Sequence, residues 1–200
     1  MQIDTDLTGL FGITLAIVAL LVRLPRVRNL PLRQKAALLA GAIIVVSIPV
    51  GGLSLAEFVR GITGDLSVFT LVLLAVSLAR SLGGYALVGE MSRRAVLQAI
   101  LLVAVLFYPL VLGIGMFDPY RLGYGNLWFM MALLGAAIWA SLRSSALLAL
   151  GLALAVAAWN AGWYESTNLW DYLIDPWLAI YAFASQVKYW LARLKVRKHA

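Results

Sequence analysis

The chain has 200 residues, of which 63% are hydrophobic and 12% charged, with a formal net charge of +7. Soluble domains contain roughly 45–50% apolar and about 25% charged residues, so this composition is typical of an integral membrane protein. It contains no cysteine and one histidine, His199, which excludes disulfides, thiolate chemistry, cysteine-bound metals and bis-histidine haem.

Seven apolar segments are candidates for membrane-spanning helices, which need about 20 residues within a range of roughly 17–25. In chain order they cover residues 7–22, 36–54, 66–82, 95–116, 127–142, 145–163 and 177–191. The first has acids before it and arginines after it, the reverse of a secretory signal, so we interpret it as a retained helix. The sequence therefore predicts an all-α bundle of about seven transmembrane helices, forming one domain over residues 1–200 with no soluble domain.

The basic residues alternate along the connections between these segments. With the N-terminus outside, the inner connections hold fourteen of the 16 lysines and arginines, all except Arg60 and Arg121. Eight of the nine acids lie on the outer side, all except Glu90. The positive-inside rule then predicts a bacterial inner-membrane protein with a periplasmic N-terminus and a cytoplasmic C-terminus. We expect the lipid bilayer as a partner and no nucleic acid, because the basic residues flank apolar spans.

The first outer segment is SLAEFVRGITGDLS, residues 54–67. Ser54 and Glu57 have the S-x-x-E spacing of a capping box, which predicts a short helix after Ser54. Glu57 and Arg60 would share one face of that helix. Asp65, together with Ser67, is placed to cap the third predicted span.

Two further outer segments repeat these residue types. MFDPYRLGYGN, residues 116–126, contains Asp118 and Arg121 between turn-forming residues and tyrosines. GWYESTNLWDYLIDPW, residues 162–177, interleaves aromatic residues, which suit a membrane interface, with three acids. Within it, Asn168 is expected to cap a short helix that carries Asp171 and Asp175 on one face.

The charged residues of these outer segments form the candidate site. They are Glu57, Asp65, Asp118, Glu165, Asp171 and Asp175, with Arg60 and Arg121. Such carboxylates can hold a divalent cation, act as acid and base, or bind a cationic head group, while arginines bind phosphate or carboxylate. The alternative is structural, with helix caps and ion pairs between loops. Orientation explains neither arginine, and we assign no metal, no cofactor and no catalytic residue.

Two patterns concern the inside of the bundle. In the sixth segment Ala149, Ala153, Ala157 and Ala161 recur every fourth residue, with Gly151 and Ala155 nearby, which predicts close helix packing near the centre of the bundle. The spans contain few polar residues and no carboxylate relay of the kind found in proton-driven pumps. The basic segment at residues 22–35 has two interpretations, as an orientation signal or as a binding site for anionic lipid.

Three functional hypotheses follow. The first is an accessory or binding component of an envelope process, acting through its periplasmic face on another membrane protein or a lipid-linked envelope precursor. The second is a membrane enzyme or lipid-handling protein whose site is the outer carboxylate and arginine cluster. The third, a small-solute channel or transporter, is disfavoured by the apolar spans.

Overall fold

The computed structural model describes residues 4–84 and 88–198, with side-chain surroundings as far as residue 195; His199 lies outside these ranges. In the described residues the chain forms ten α-helices, one 3-10 helix and one antiparallel hairpin. The α-helices are α1 (Thr5–Arg23), α2 (Pro25–Arg28), α3 (Leu32–Ser47), α4 (Leu55–Thr63), α5 (Val68–Gly83), α6 (Glu90–Val111), α7 (Leu127–Leu142), α8 (Ala146–Asn160), α9 (Leu169–Leu173) and α10 (Pro176–Lys198). The strands are β1 (Pro49–Val50) and β2 (Leu53–Ser54), and the 3-10 helix is Pro119–Gly123.

The structure confirms the all-α prediction. Seven longer helices, α1, α3, α5, α6, α7, α8 and α10, each overlap one of the predicted apolar segments. Two of them, α1 with 19 residues and α6 with 22, combine the length and hydropathy needed to cross a membrane. Helices α5, α7 and α8 are also apolar but shorter, with 16, 16 and 15 residues.

The second apolar segment is helical only in part. Helix α3 ends at Ser47, and β1 and β2 pair across a two-residue turn of Gly51 and Gly52. Both glycines have positive φ angles, +68° and +98°, which a tight hairpin turn requires at its centre. The expectation of a continuous helix to residue 54 was wrong, because the residue before Pro49 is driven out of the helical conformation.

The predicted outer segments meet at one end of the bundle. The start of α1, the turn after α4, the 3-10 helix and the connections around α9 contact one another there. Since this end holds eight of the nine acids, we call it the acidic end. We call the opposite end, where α1 and α5 end and α6 begins, the basic end.

The largest buried cluster lies between α5, α6, α8, α9 and α10. The five-residue helix α9 contributes Leu169 and Tyr172, which are both fully buried. Two smaller clusters join α1 to its neighbours, one of them through Ile13, Val46 and Leu66. The segment around α9 is therefore part of the packed core and not a loop over its surface.

Helix α8 contacts α5, α6, α7 and α9. Ala153 and Ala157 are exposed, whereas Gly151 and Ala155 are buried. A Cβ atom on Gly151 would overlap the ring of Phe69 on α5. The close approach of α5 and α8 therefore depends on Gly151, which the sequence had placed beside the alanines, whereas Ala153, Ala157 and Ala161 do not take part in it.

Large apolar side chains cover much of the exterior of the bundle. On α7 the exposed residues Leu127, Met131, Leu134, Ile138 and Leu142 follow one another at intervals of three or four. This spacing places them on one helix face that points away from the core. Continuous apolar surface of this kind marks contact with a membrane or with another protein.

Candidate functional site

Arg60 is the centre of a charged cluster at the acidic end. Its Nε and Nη2 atoms donate to the two carboxylate oxygens of Asp65, at 2.7 and 3.2 Å, and Nη1 donates to Asp6 at 2.7 Å. A carboxylate oxygen of Glu165 lies 4.0 Å from the guanidinium. We call these four residues the Arg60 cluster. It joins α1, α4 and the α8–α9 connection.

The Arg60 cluster is only partly open to solvent. The side chain of Arg60 is 17% exposed and that of Asp65 is 23% exposed, whereas Asp6 is 72% exposed. The hydrogen bond to Asp65 raises the pKa of Arg60 above its ordinary value, so the guanidinium stays charged. Arg60, which the orientation of the chain does not explain, thus has three acidic partners within the protein.

A glycine of α1 makes room for this cluster. A Cβ atom on Gly9 would overlap the side chains of Arg60 and Asp65. One residue earlier, the hydroxyl of Thr8 donates to the carbonyl of Trp163. The first turns of α1 are therefore held against both α4 and the α8–α9 connection.

Asp175 joins the starts of α5 and α10. One of its oxygens accepts from the backbone N–H of Ser67 at 2.9 Å and from the hydroxyl of Thr70 at 2.5 Å. The other accepts from the N–H of Leu178 at 2.8 Å. These donors belong to the first turns of two helices, where backbone N–H groups lack helical partners. The buried carboxylate of Asp175 is thus fully occupied as a shared cap.

Asp171 has a different role, contrary to the expectation that it shares a face with Asp175. Helix α9 ends at Leu173, so Asp175 lies outside it. Asp171 instead accepts from the hydroxyl of Tyr120 at 2.9 Å and from that of Ser166 at 2.5 Å. The two aspartates therefore tie different pairs of segments together.

Trp170 of α9 packs against α6 and α7 and is hydrogen-bonded to the 3-10 helix. The ring of Trp170 lies between Phe107 and Phe129, with centroid distances of 4.3 and 4.6 Å. Its Nε1 donates to the carbonyl of Pro119 at 2.9 Å. Trp170, predicted to lie at a membrane interface, therefore packs inside the protein.

Two tyrosines complete this end. The hydroxyl of Tyr164 donates to the carbonyl of Leu66 at 2.7 Å, and the hydroxyl of Tyr172 accepts from the N–H of Tyr164 at 3.1 Å. Burial raises the pKa of both phenols above the ordinary tyrosine value. Both therefore stay neutral and hold the α8–α9 connection by hydrogen bonds.

The remaining candidates are dispersed. Glu57 and Ser54 form the predicted capping box, whose hydrogen bonds lower the pKa of Glu57, and no ion pair joins Glu57 to Arg60. Asp118 accepts from the N–H of Tyr120 and caps the 3-10 helix. Arg121 is exposed and forms no ion pair with any described residue. The structure therefore brings Arg60, Asp65 and Glu165 together but leaves Arg121 apart.

A small cavity remains between these ties. Its volume is about 270 Å³, and Asp65, Asp171 and Asp175 line it together with Tyr164. The described residues contain no group of three His, Cys, Asp or Glu side chains arranged to hold a metal ion. The carboxylates here are hydrogen-bonded to the protein itself.

A larger groove lies between α1, α4, α5, α6 and α10. Its volume is about 580 Å³, within the roughly 300–1,000 Å³ of ligand pockets. Aliphatic side chains line most of it, including Ile13, Ala16, Ile17 and Leu73. Its acidic end is bounded by the half-exposed Trp177. The groove is thus an apolar trough along the length of the helices.

The basic end of the groove carries three arginines, Arg23, Arg80 and Arg93. Arg23 donates to the hydroxyl of Ser77 at 3.1 Å. Arg93 donates to the hydroxyl of Tyr181 and forms an ion pair of 3.2 Å with Glu90. An apolar trough with a cationic end has the chemistry of a binding site for an anionic amphiphile.

The chain matches no protein family, no curated protein and no solved structure.

Sequence reasoning missed the arginine end of the groove. Arg23 and Arg93 were counted as orientation signals, because each lies at the end of an apolar segment. Ser77 is 54 residues from Arg23, and Tyr181 is 88 residues from Arg93. No spacing along the chain indicates either contact. One indication of such a site was present in the sequence: the basic segment at residues 22–35, which includes Arg23, had anionic-lipid binding as one of its two interpretations.

Proposed function

We propose that the protein is a multi-pass inner-membrane protein that binds a membrane lipid or a lipid-linked envelope precursor in its apolar groove. It has seven spanning helices, with the acidic end in the periplasm and the basic end in the cytoplasm. The observation that carries the binding proposal is the groove of about 580 Å³, which is aliphatic along its walls and cationic at one end.

The membrane topology rests on two observations. The helices that overlap the seven apolar segments expose large hydrophobic side chains, which a bilayer would cover. The lysines and arginines also follow the positive-inside pattern, with fourteen of 16 in the segments assigned to the cytoplasm.

The acidic end supports a structural role for most of the charged candidates. Asp65 binds Arg60 of α4, Asp171 joins α9 to the 3-10 helix, and Asp175 joins the starts of α5 and α10. A rigid cap at this end would keep the groove walls at a constant separation. We therefore place ligand binding in the groove and assign the acidic end to its support.

Single-cysteine labelling tests the topology, and the protein needs no prior removal of cysteines because it has none. In intact cells with a permeabilised outer membrane, an impermeant maleimide should label Glu165→Cys. It should label Arg28→Cys only after the inner membrane is opened. Labelling of both positions from the same side would contradict the proposed orientation.

Photo-crosslinking tests the groove. The protein is reconstituted in phosphatidylcholine vesicles containing a lipid with a photoreactive group in its acyl chain. Crosslinked peptides should include Ile17 and Leu73, which line the groove, in addition to the outward-facing Leu134 and Ile138 of α7. Crosslinks confined to outward-facing residues would refute lipid binding in the groove.

A matched pair of variants sharpens this test. Ala16→Phe places a ring in the groove and should abolish crosslinks at Leu73, since Ala16 lines the same cavity. Ala75→Phe makes the same change at an exposed position of α5 that does not line the groove, and should leave crosslinking intact. Equal loss in both variants would contradict a binding site in the groove.

A further inference from the structure

The basic end of the groove gathers arginines from three helices. Arg23 comes from α1, Arg80 from α5 and Arg93 from α6. The guanidinium groups of Arg23 and Arg93 both lie 6.0 Å from the centre of the Tyr181 ring. Two cations thus share one aromatic ring, although neighbouring like charges repel each other.

Arg23 is exposed, and its side chain reaches from the end of α1 across to α5. It is the last residue of α1, yet its guanidinium binds Ser77, six residues before the end of α5 at Gly83. Arginines at helix ends usually extend towards the membrane surface and its water. This one binds instead a serine of α5 that also lines the groove.

The charge at this end is not balanced by the described residues. Glu90 is the single described carboxylate within ion-pair distance of these three arginines, and its side chain is 56% exposed. Three cations and one carboxylate leave a net positive charge beside an aliphatic trough. An anion placed among the arginines would relieve their mutual repulsion and accept hydrogen bonds from more than one guanidinium.

We propose that Arg23, Arg80 and Arg93 bind the phosphate of an anionic lipid whose acyl chain lies in the groove. A phosphate monoester offers three oxygens, so it can accept from several guanidinium groups at once. The aliphatic walls suit the acyl chain. This assignment rests on the proposed lipid-binding function and adds the class of the head group.

A competition experiment tests the head group in the reconstituted full-length protein. The photoreactive lipid is displaced by phosphatidic acid or by diacylglycerol with the same acyl chains, and crosslinks to Ile17 are counted. Phosphatidic acid should compete about tenfold better, because one charge-assisted hydrogen bond contributes roughly a factor of ten in affinity. Inorganic phosphate alone should not compete.

Two variants that each remove one positive charge test whether the preference for phosphatidic acid depends on the arginines of the groove. Arg93→Gln should reduce the preference for phosphatidic acid over diacylglycerol to near unity while both still compete. Arg28→Gln removes the same charge from an exposed residue of α2 outside the groove, and should keep the preference. The measured quantity is a ratio between two lipids, so a general loss of folded protein would not change it.

The outcomes separate this inference from the proposed function. Equal competition by the two lipids would overturn the phosphate assignment and leave lipid binding intact. Failure of both lipids to compete would refute lipid binding itself. Competition by inorganic phosphate would show that the arginines bind a free anion and would overturn the proposal. Equal effects of Arg93→Gln and Arg28→Gln would show that the preference comes from general surface charge, and would overturn it too.

Discussion

Replacing Arg60 by methionine is the sharpest test of the acidic end. Methionine keeps much of the aliphatic length of arginine but removes the guanidinium that binds Asp65 and Asp6. Asp65, which is 23% exposed, then keeps a charge without its cation. We expect Arg60→Met to destabilise the protein.

The magnitude follows from the exposure of the two ion pairs. An exposed pair contributes about 0–1 kcal/mol, whereas removing one partner of a fully buried pair costs about 3–5 kcal/mol. The pair with Asp6 belongs to the first class, since Asp6 is 72% exposed. The pair with Asp65 lies between the classes. We therefore expect a loss of about 2 kcal/mol, which for a domain of this size lowers Tm by about 4–8 °C.

The assay is thermal unfolding in one detergent at one scan rate, followed by the fluorescence of the seven tryptophans. Arg121→Met is the matched control, because Arg121 is exposed and forms no ion pair with any described residue. Its Tm should change by no more than about 2 °C, as for most surface substitutions.

A second variant separates charge from packing. Arg60→Met with Asp65→Asn should be more stable than Arg60→Met alone, because the amide leaves no uncompensated charge. Equal Tm losses for the variants of Arg60 and Arg121 would refute the assignment of Arg60 as a tie between α1 and α4. So would a double variant no more stable than Arg60→Met.

Three further predictions concern backbone contacts and pH. Gly9→Ala should lower the free energy of unfolding by about 1–3 kcal/mol, because the new Cβ atom displaces the Arg60 cluster. Gly41 has open space around it, so Gly41→Ala should leave Tm unchanged or raise it, and equal Tm shifts in the two variants would contradict this reasoning. Gly151→Ala should lower Tm by pushing α5 from α8, and an unchanged Tm would show that the ring beneath it moves freely. The capping hydrogen bonds lower the pKa of Glu57, so the charged carboxylate stabilises the fold fully at neutral pH and loses this effect as pH falls through that pKa. The Tm difference between the unmodified protein and Glu57→Ala should therefore disappear in acid, and a difference that stays constant with pH would refute this prediction.

Local patterns in the sequence predicted local structure well. The capping box of Ser54 and Glu57, the cap of Asn168 on α9 and the proline at the start of α10 are all present. Each involves residues within a few positions of one another, so spacing alone determines whether they can meet. The all-α class was predictable for a similar reason, since long apolar segments without breakers favour helices.

Partners distant along the chain were not predictable in this way. Ser67 caps α5 as predicted, but Asp65, expected to share that role, binds Arg60, and the backbone N–H of Ser67 is bound by Asp175, 108 residues away. Three of the four predicted alanines of α8 are exposed, whereas Gly151, noted beside them, packs against Phe69 too closely for a Cβ atom. Which face of an apolar helix packs inward depends on its neighbours, and an all-apolar helix gives no pattern to indicate it.

Composition and short spacings account for the all-α class, the positions of the longer helices and several of the caps at their ends. The sequence also indicated two unusual arginines, Arg60 and Arg121, and the tertiary structure showed that they differ. One is bound by three acids from separate segments, and the other is exposed. Only packing brought Arg23, Arg80 and Arg93 to one end of a groove, since the contacts of a side chain depend on how helices far apart in sequence are arranged.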